Sequence, residues 1–355
     1  MPLASGADNI AGMKNMKSVS IFLALVLAGT AKADIQLDLI DVPEGFKIEV
    51  YAEGVENARQ MVRGPDGTVF AGSRRAGKLW AVTDADGDHY AETVRLIDDD
   101  LKMPSGLEFQ GKSLYVAALD RVIRYDDIES QLDTPPEPVL VTDGFPDKKH
   151  HGWKYLRFGP DGMLYLAQGS TCNVCVEEDE RRNTMMRFLP DGSGGEIIAT
   201  GLRNSVGFDW TPWSGELYAT DNGRDLMGDD FPPCELNLVE QGRFYGWPYF
   251  NGDNFPDPDM GADPLAGKRT PTAPAHGFRP HNAPLGMTFI NNARWPADYE
   301  RSALVALHGS WNRSTPDGYK VVSLHWTPDG NEERDFLTGF LIDGDISGRP
   351  VDVAQ

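Results

Sequence analysis

Cysteine is scarce: there are three in 355 residues, too few for a disulfide scaffold. Cations are outnumbered, with 33 Lys+Arg against 54 Asp+Glu and a net charge of −21. That balance argues against a phosphate-tracking surface, so no nucleic-acid partner is expected. Long apolar runs are lacking too. The one short run, residues 21–28, is too brief to span a bilayer. Lys14 and Lys17 precede it, and Ala31-Lys-Ala33 follows as a small-x-small pattern. Together these features read as a secretory signal peptide over residues 1–33. They imply a periplasmic or secreted protein with no integral membrane segment after cleavage. No amphipathic helix of four turns appears anywhere.

Turn chemistry, by contrast, is abundant, with 38 Gly and 25 Pro. One pattern recurs: a short apolar strand, a Gly/Asp turn, then a second strand. It occupies residues 61–70, 107–115, 156–165 and 206–218. A looser copy pairs residues 285–289 with 303–306, and a sixth begins at Arg349 and stops with the sequence. Alternating residues around a Gly-bearing turn signal hairpins. Units of roughly 40–50 residues with four strands each are propeller blades. The expectation is an all-β, six-bladed propeller over residues 34–355, a single domain whose last blade is C-terminally incomplete. Residues 46–51 would supply one closing strand. A large β-sandwich is the alternative.

Loops on the central face of a propeller supply binding groups. Four segments carry suitable chemistry. In Lys148-Lys-His-His151-Gly-Trp-Lys154 two of the seven histidines adjoin, and a neutral imidazole is a ready general base; the plain alternative is a solvated basic loop. Arg203 and Asn204 offer a planar fork and a donor–acceptor amide, or else form a surface turn. Residues 221–230 gather acids and free carbonyls suited to Ca²⁺, or else form a hydrated acidic loop. In His308-Gly-Ser-Trp-Asn-Arg313, Trp311 and Arg313 suit a flat anionic ligand.

Two features are weaker. Asp84, Asp86 and Asp88 are spaced like a Ca²⁺ loop, but His89 and Arg95 stand where an EF-hand wants Gly and Glu. Cys172-Asn-Val-Cys175 reads as a local disulfide in an exported protein, which leaves Cys234 alone.

In this order the motifs resemble the PQQ-dependent sugar dehydrogenases, most closely the sorbosone dehydrogenase branch. The carrying segments are His151 ahead of Gly159-Pro-Asp-Gly162, Gly201-Leu-Arg-Asn204, and Thr220-Asp-Asn-Gly-Arg-Asp225. Glu235-Leu-Asn237, Tyr245-Gly-Trp-Pro248 and His308–Arg313 complete the set. The resemblance implies a six-bladed propeller holding pyrroloquinoline quinone (PQQ) and Ca²⁺ on its axis. It implies oxidation of a small sugar, with a cytochrome or quinone as electron acceptor. His151 would be the base. Arg203, Asn204, Trp311 and Arg313 would contact the cofactor, and the carbonyls of Gly223 and Arg224 would hold Ca²⁺. The chain departs from the glucose-oxidising relatives at three positions. His150 replaces an Asp, Asn291 replaces a cofactor-binding Lys, and Arg224 replaces a Pro. Phe250 stands where the sorbosone branch often has a Cys. A propeller lactonase or esterase, and a non-catalytic carbohydrate-binding propeller, are the competing readings.

Overall fold

A computed structural model describes residues 37–292 and 294–355. The expected signal peptide lies outside these residues. Short antiparallel strands joined by tight turns dominate, and only three short 3₁₀ turns interrupt them. Among the described residues no helix is long and apolar enough to cross a membrane.

The expected hairpins form in register. Val62 faces Phe70 and Arg63 faces Val69. Leu156 faces Leu166, and Phe158 faces Leu164. At the turn between the latter strands, Gly159 N donates to the Met163 carbonyl (2.9 Å), and Gly162 takes φ +75°. A side chain rarely adopts that left-handed geometry, so the glycine sets the turn.

Each hairpin extends into a four-stranded meander. Blade 1 is Ala58–Arg63, Val69–Ser73, Leu79–Thr83 and Thr93–Asp98. Blade 2 is Gly106–Gln110, Ser113–Ala117, Arg121–Tyr125 and Val139–Asp143. Blade 3 is Leu156–Phe158, Leu164–Gln168, Thr184–Phe188 and Glu196–Thr200, with Arg243–Phe244 added in parallel at its edge. Blade 4 is Gly207–Trp210, Leu217–Asp221, Cys234–Leu238 and His276–Phe278. Blade 5 is Pro284–Phe289, Ser302–Leu307, Lys320–Thr327 and Gly330–Leu337. The stretch of residues 250–284 contains blade 4's outer strand and a small hairpin, Phe250–Asn251 with Phe255–Pro256.

The core lies between blades. Phe70, Leu79, Leu107 and Tyr125 fill the space between blades 1 and 2. Tyr115, Leu156, Leu166 and Phe188 fill the next, followed by a layer around Tyr165, Phe208 and Leu217 and one around Leu236, Met287 and Val305. Burying each sheet face against its neighbour is what stabilises a strand meander that could not stand alone. At the axis the Gln60 side chain ties three blades. Its Nε2 donates to the Leu156 carbonyl (2.8 Å), and its Oε1 accepts from Leu107 N and Leu156 N (both 2.9 Å).

The expectation of six blades is corrected to five. The sixth start, residues 349–355, is extended but joins no sheet. It is held singly instead: Gly286 N donates to the Val351 carbonyl (3.1 Å), and Met61 N donates to Asp352 Oδ2 (2.7 Å). Residues 46–51 form no closing strand either. Phe46 packs its ring on Trp295, Tyr299 and Phe336 at 4.9–5.6 Å, so the N-terminal segment covers part of blade 5. Hydrophobic burial uses that segment as a cap, an outcome that strand periodicity does not encode.

Candidate active site

A cavity of about 400 Å³ opens on the loops between strands. It is lined by His150, His151, Trp153, Arg203, Asn204, Gly223, His308 and Trp311, so most of the residues singled out from the sequence converge.

His151 is buried, and its backbone takes φ +45°. Its Nδ1 meets Ser170 Oγ at 3.1 Å. The Ser170 hydroxyl donates its only proton to the Cys172 carbonyl (2.8 Å). Ser170 therefore accepts from His151, which places the imidazole proton on Nδ1 and leaves the Nε2 lone pair free. Burial, then Arg203 and His150, hold His151 well below the usual histidine pKa. It is a neutral base at physiological pH. The His150 ring lies beside it, tilted, with centroids 4.0 Å apart, and is also shifted down, chiefly by burial. Gly169 permits this packing. A Cβ there would lie 2.7 Å from the His151 carbonyl oxygen and 3.0 Å from Asn204 Oδ1.

Asn204 is buried, its backbone N donates to Asp221 Oδ1 (2.6 Å), and its own Oδ1 has no partner. A buried orphan acceptor beside a cavity is a group awaiting a ligand. Arg203 is the opposite case. Its Nε donates to the Asn173 carbonyl (3.0 Å), and Nη1 to the carbonyls of Asn222 (3.1 Å) and Gly223 (2.9 Å). Nη2 donates to Asn173 Oδ1 (3.0 Å) and Asp225 (3.2 Å). All five N–H groups are thereby engaged by the protein. The Gly223 carbonyl, expected to hold a metal, thus already accepts one hydrogen bond and keeps one lone pair.

The side chains of Arg224 and Arg313 lie outside the cavity lining. Arg224 is buried against Asp257 (2.6 Å) and reaches Asp259 (2.8 Å). Arg313 donates to the carbonyls of Asp229 and Pro280 and faces Asp230 at 3.6 Å, which pins it to the acidic loop. Trp311, at 67% exposed, stands as a platform at the mouth. Asn291 lies outside this cavity, and its backbone N donates to Gln355.

From the same segment as Trp311, His308 also lines the cavity. It donates from Nδ1 to the Pro350 carbonyl (2.9 Å), and burial takes it down to about 4. Asp84, Asp86 and Asp88 do converge, with Glu92, their oxygens within 4.8 Å of one another. They lie on an exposed turn of blade 1 outside the cavity. Cys172 and Cys175 form the expected disulfide, and Cys234 is free and buried.

Four arginines escaped the motif reading. Arg59, Arg74 and Arg75 line the cavity, and Arg349 donates to the His308 carbonyl (3.0 Å) beside it. Arg74 stacks on the Trp153 ring at 3.6 Å, and its Nε is buried without an acceptor. Burial, then Arg59 and Arg75, pull Arg74 down to about 10. A signal did exist: the Arg74-Arg75 pair sits in residues 69–83, a stretch without a single acid.

Comparison with known proteins finds sugar dehydrogenases among the matches. The family model described as glucose/sorbosone dehydrogenase matches residues 137–311. An uncharacterized protein of Borreliella burgdorferi is 29% identical, with 96% of this chain and 93% of that one covered. The aldose sugar dehydrogenase YliI of Escherichia coli is 29% identical over 44% of this chain and 45% of its own length. The chain thus spans under half of that enzyme. The PQQ domain of pyranose dehydrogenase from Coprinopsis cinerea, solved in its holo form, superposes with a TM-score of 0.73. That match has 21% identity and covers 88% of this chain and 91% of that one, which speaks to the fold. The resemblance to the PQQ-dependent sugar dehydrogenases therefore holds.

Proposed function

We propose that this relative of the PQQ-dependent sugar dehydrogenases is itself a periplasmic PQQ- and Ca²⁺-dependent oxidoreductase. It would oxidise an aldose or related sugar aldehyde and pass electrons to a cytochrome or quinone. The observation that carries the reading is His151: buried, neutral, with its tautomer set by Ser170 and its free Nε2 beside a cation-rich cavity. A sugar hydroxyl has a pKa far above 7, so its proton must pass to a positioned base as the carbon is oxidised.

The residues fit the cofactor. PQQ is a flat tricarboxylate, and the cavity offers aromatic faces at Trp153 and Trp311, a lining with more cations than carboxylates and the orphan Asn204 Oδ1. Carbonyl oxygens at Gly223 and Arg224 suit a hard cation. When bound, the quinone supplies the two-electron acceptor, and the metal polarises it. The chain's own residues do the rest. His151 Nε2 accepts the substrate proton. Ser170 fixes the ring, and burial keeps it from protonating before substrate arrives. Trp311 offers a stacking face at the entrance.

The test is reconstitution. Metal-free protein is titrated with PQQ, with and without Ca²⁺, and dye reduction is followed over an aldose panel. Ca²⁺-dependent binding with sugar-driven reduction, lost in a His151→Ala variant that still binds PQQ, is the expected result. Full activity of that variant, or lactone hydrolysis without PQQ, would overturn the reading.

A further inference from the structure

Arg59, Arg74, Arg75 and Arg349 have no carboxylate within ion-pair distance among the described residues. This is unusual in a chain with 54 acids. Arg157, Arg187, Arg203 and Arg224 all find acids. Clustering bare cations is uphill: burial and mutual repulsion lower both Arg59 and Arg74. Among the described residues Asp225 is the one carboxylate lining the cavity, and it already pairs with Arg203.

Counting charge is instructive. A bound tricarboxylate would bring three negative charges to the cavity as a whole, and a divalent cation would return two positive charges beside the four arginines. With both in place the cavity still holds an excess of positive charge, so a second anion is called for. Its location is defined. Arg59 lies in blade 1's first strand, and Arg74 and Arg75 follow its second. Arg74 lies 3.6 Å over Trp153, and the edge of Trp153 meets the His151 ring at 5.5 Å. The guanidinium thus stands no farther from the base than these two contacts laid end to end. That reach is comparable to a sugar ring with its exocyclic carbon.

We propose that Arg74, with Arg59 and Arg75, forms a carboxylate-binding subsite that selects acidic aldoses, sugars of the uronic type, over neutral ones. The inference rests on the dehydrogenase reading for its chemistry. A planar fork pairs with a carboxylate through two parallel hydrogen bonds, a geometry no neutral hydroxymethyl group reproduces.

The experiment compares matched pairs, glucuronate with glucose and galacturonate with galactose, on protein loaded with PQQ and Ca²⁺. The expected result is at least a ~10-fold higher kcat/KM for an acid than for its neutral partner, about the value of one charge-assisted hydrogen bond. The preference should shrink as NaCl is added. Arg74→Gln should cut the acid-to-neutral ratio by about the same factor, mainly through KM. Equal kcat/KM within both pairs would overturn the proposal. So would an Arg74→Gln variant that weakens PQQ binding by absorbance titration while the ratio stays put, since the cluster would then serve the cofactor. Calorimetric titration of unloaded protein with the same sugars separates the two readings. Glucuronate or galacturonate binding that Arg74→Gln abolishes, without turnover of any sugar, would sink the dehydrogenase reading and keep the subsite. No uronate binding in either state would sink the subsite whatever the turnover.

Discussion

Two arginine sites on one cavity behave oppositely. Between blades 3 and 4, Arg203 gives all five N–H groups to four acceptor residues of the chain. On blade 1, Arg74 keeps a buried Nε with no acceptor, and among the described residues Arg59 donates only to the adjacent Ala58 carbonyl (2.8 Å). The difference teaches how to read a cation near a site. A saturated guanidinium builds the wall, while a starved one awaits a ligand. The sequence motif pointed to the saturated one, because Arg203 adjoins Asn204 in a recognisable segment. The starved ones lie outside any motif.

The strongest way to break this contrast is to remove one arginine from each site. Arg203→Ala strands Asp225 and the carbonyls of Asn173, Asn222 and Gly223. Breaking a buried pair from one side costs about 3–5 kcal/mol, a drop in melting temperature that thermal denaturation reads easily. Arg74→Gln relieves repulsion and should leave the melting temperature level or raised. Equal losses from both variants would show that the blade 1 cluster is structural.

Ser170→Ala sharpens the contrast from the catalytic side. The hydroxyl accepts from His151 Nδ1 and donates to the Cys172 carbonyl, so its loss frees the ring to rotate and exchange tautomers. A roughly 10-fold fall in kcat is expected, restored by Ser170→Thr, which keeps the hydroxyl. A merely structural serine would lower the melting temperature without that rescue of rate.

The axis supplies a pH test. Asp352 is buried, and desolvation raises its carboxyl to about 7. Between the ordinary carboxyl value of 3.8 and about 7 it therefore holds a proton in the fold that the unfolded chain has released. Its contribution to stability is full below the unfolded value and is lost as pH rises toward 7. The depressed histidines His151 and His308 act the other way, but only below the unfolded histidine value of 6.5. Glu235, raised to about 8 by burial, and Lys154, lowered to about 7 by burial, titrate in the neighbouring range, so the Asp352 share is read as the difference between the native chain and an Asp352→Asn variant. Asn at 352 can accept from Met61 N and donate to the Tyr155 hydroxyl, the two groups Asp352 now meets at 2.7 and 3.1 Å. Asp352→Asn should raise the melting temperature by a few degrees at pH 8 and by less at pH 6. An equal change at both values would refute the titration.

Blade repeats were legible because a Gly-bearing turn between alternating residues leaves few other folds. Each expected hairpin that continued into a blade did so in register, as at residues 61–70 and 156–165. Ring closure was not legible. Residues 349–355 match the start of a repeat, yet a single strand without neighbours makes no sheet, and its carbonyl and carboxylate bonds hold it instead. His151 and Asn204 could be found because they sit in patterned segments. Arg59, Arg349 and the orienting Ser170 could not. Their roles depend on which distant loops meet, and blade packing settles that.

The smallest effect expected lies farthest from the cavity, and it sets the baseline for the contrast. Asp84, Asp86, Asp88 and Glu92 converge on an exposed turn, and each accepts from a nearby backbone N–H: Gly87, Asp88, Tyr90 and Ala85 at 2.8–3.2 Å. These bonds are local and fully wetted, so water can replace any that are lost. Asp86→Asn keeps an oxygen for Asp88 N and removes one of four neighbouring negative charges. Thermal denaturation in metal-free buffer should register no resolvable change in melting temperature. Carboxylates that repel one another in solvent cost little, because water screens them. Arg74, held against the Trp153 face with Arg59 and Arg75 near it, is screened far less, which is why the blade 1 cluster points to a ligand and this acidic turn, by itself, does not.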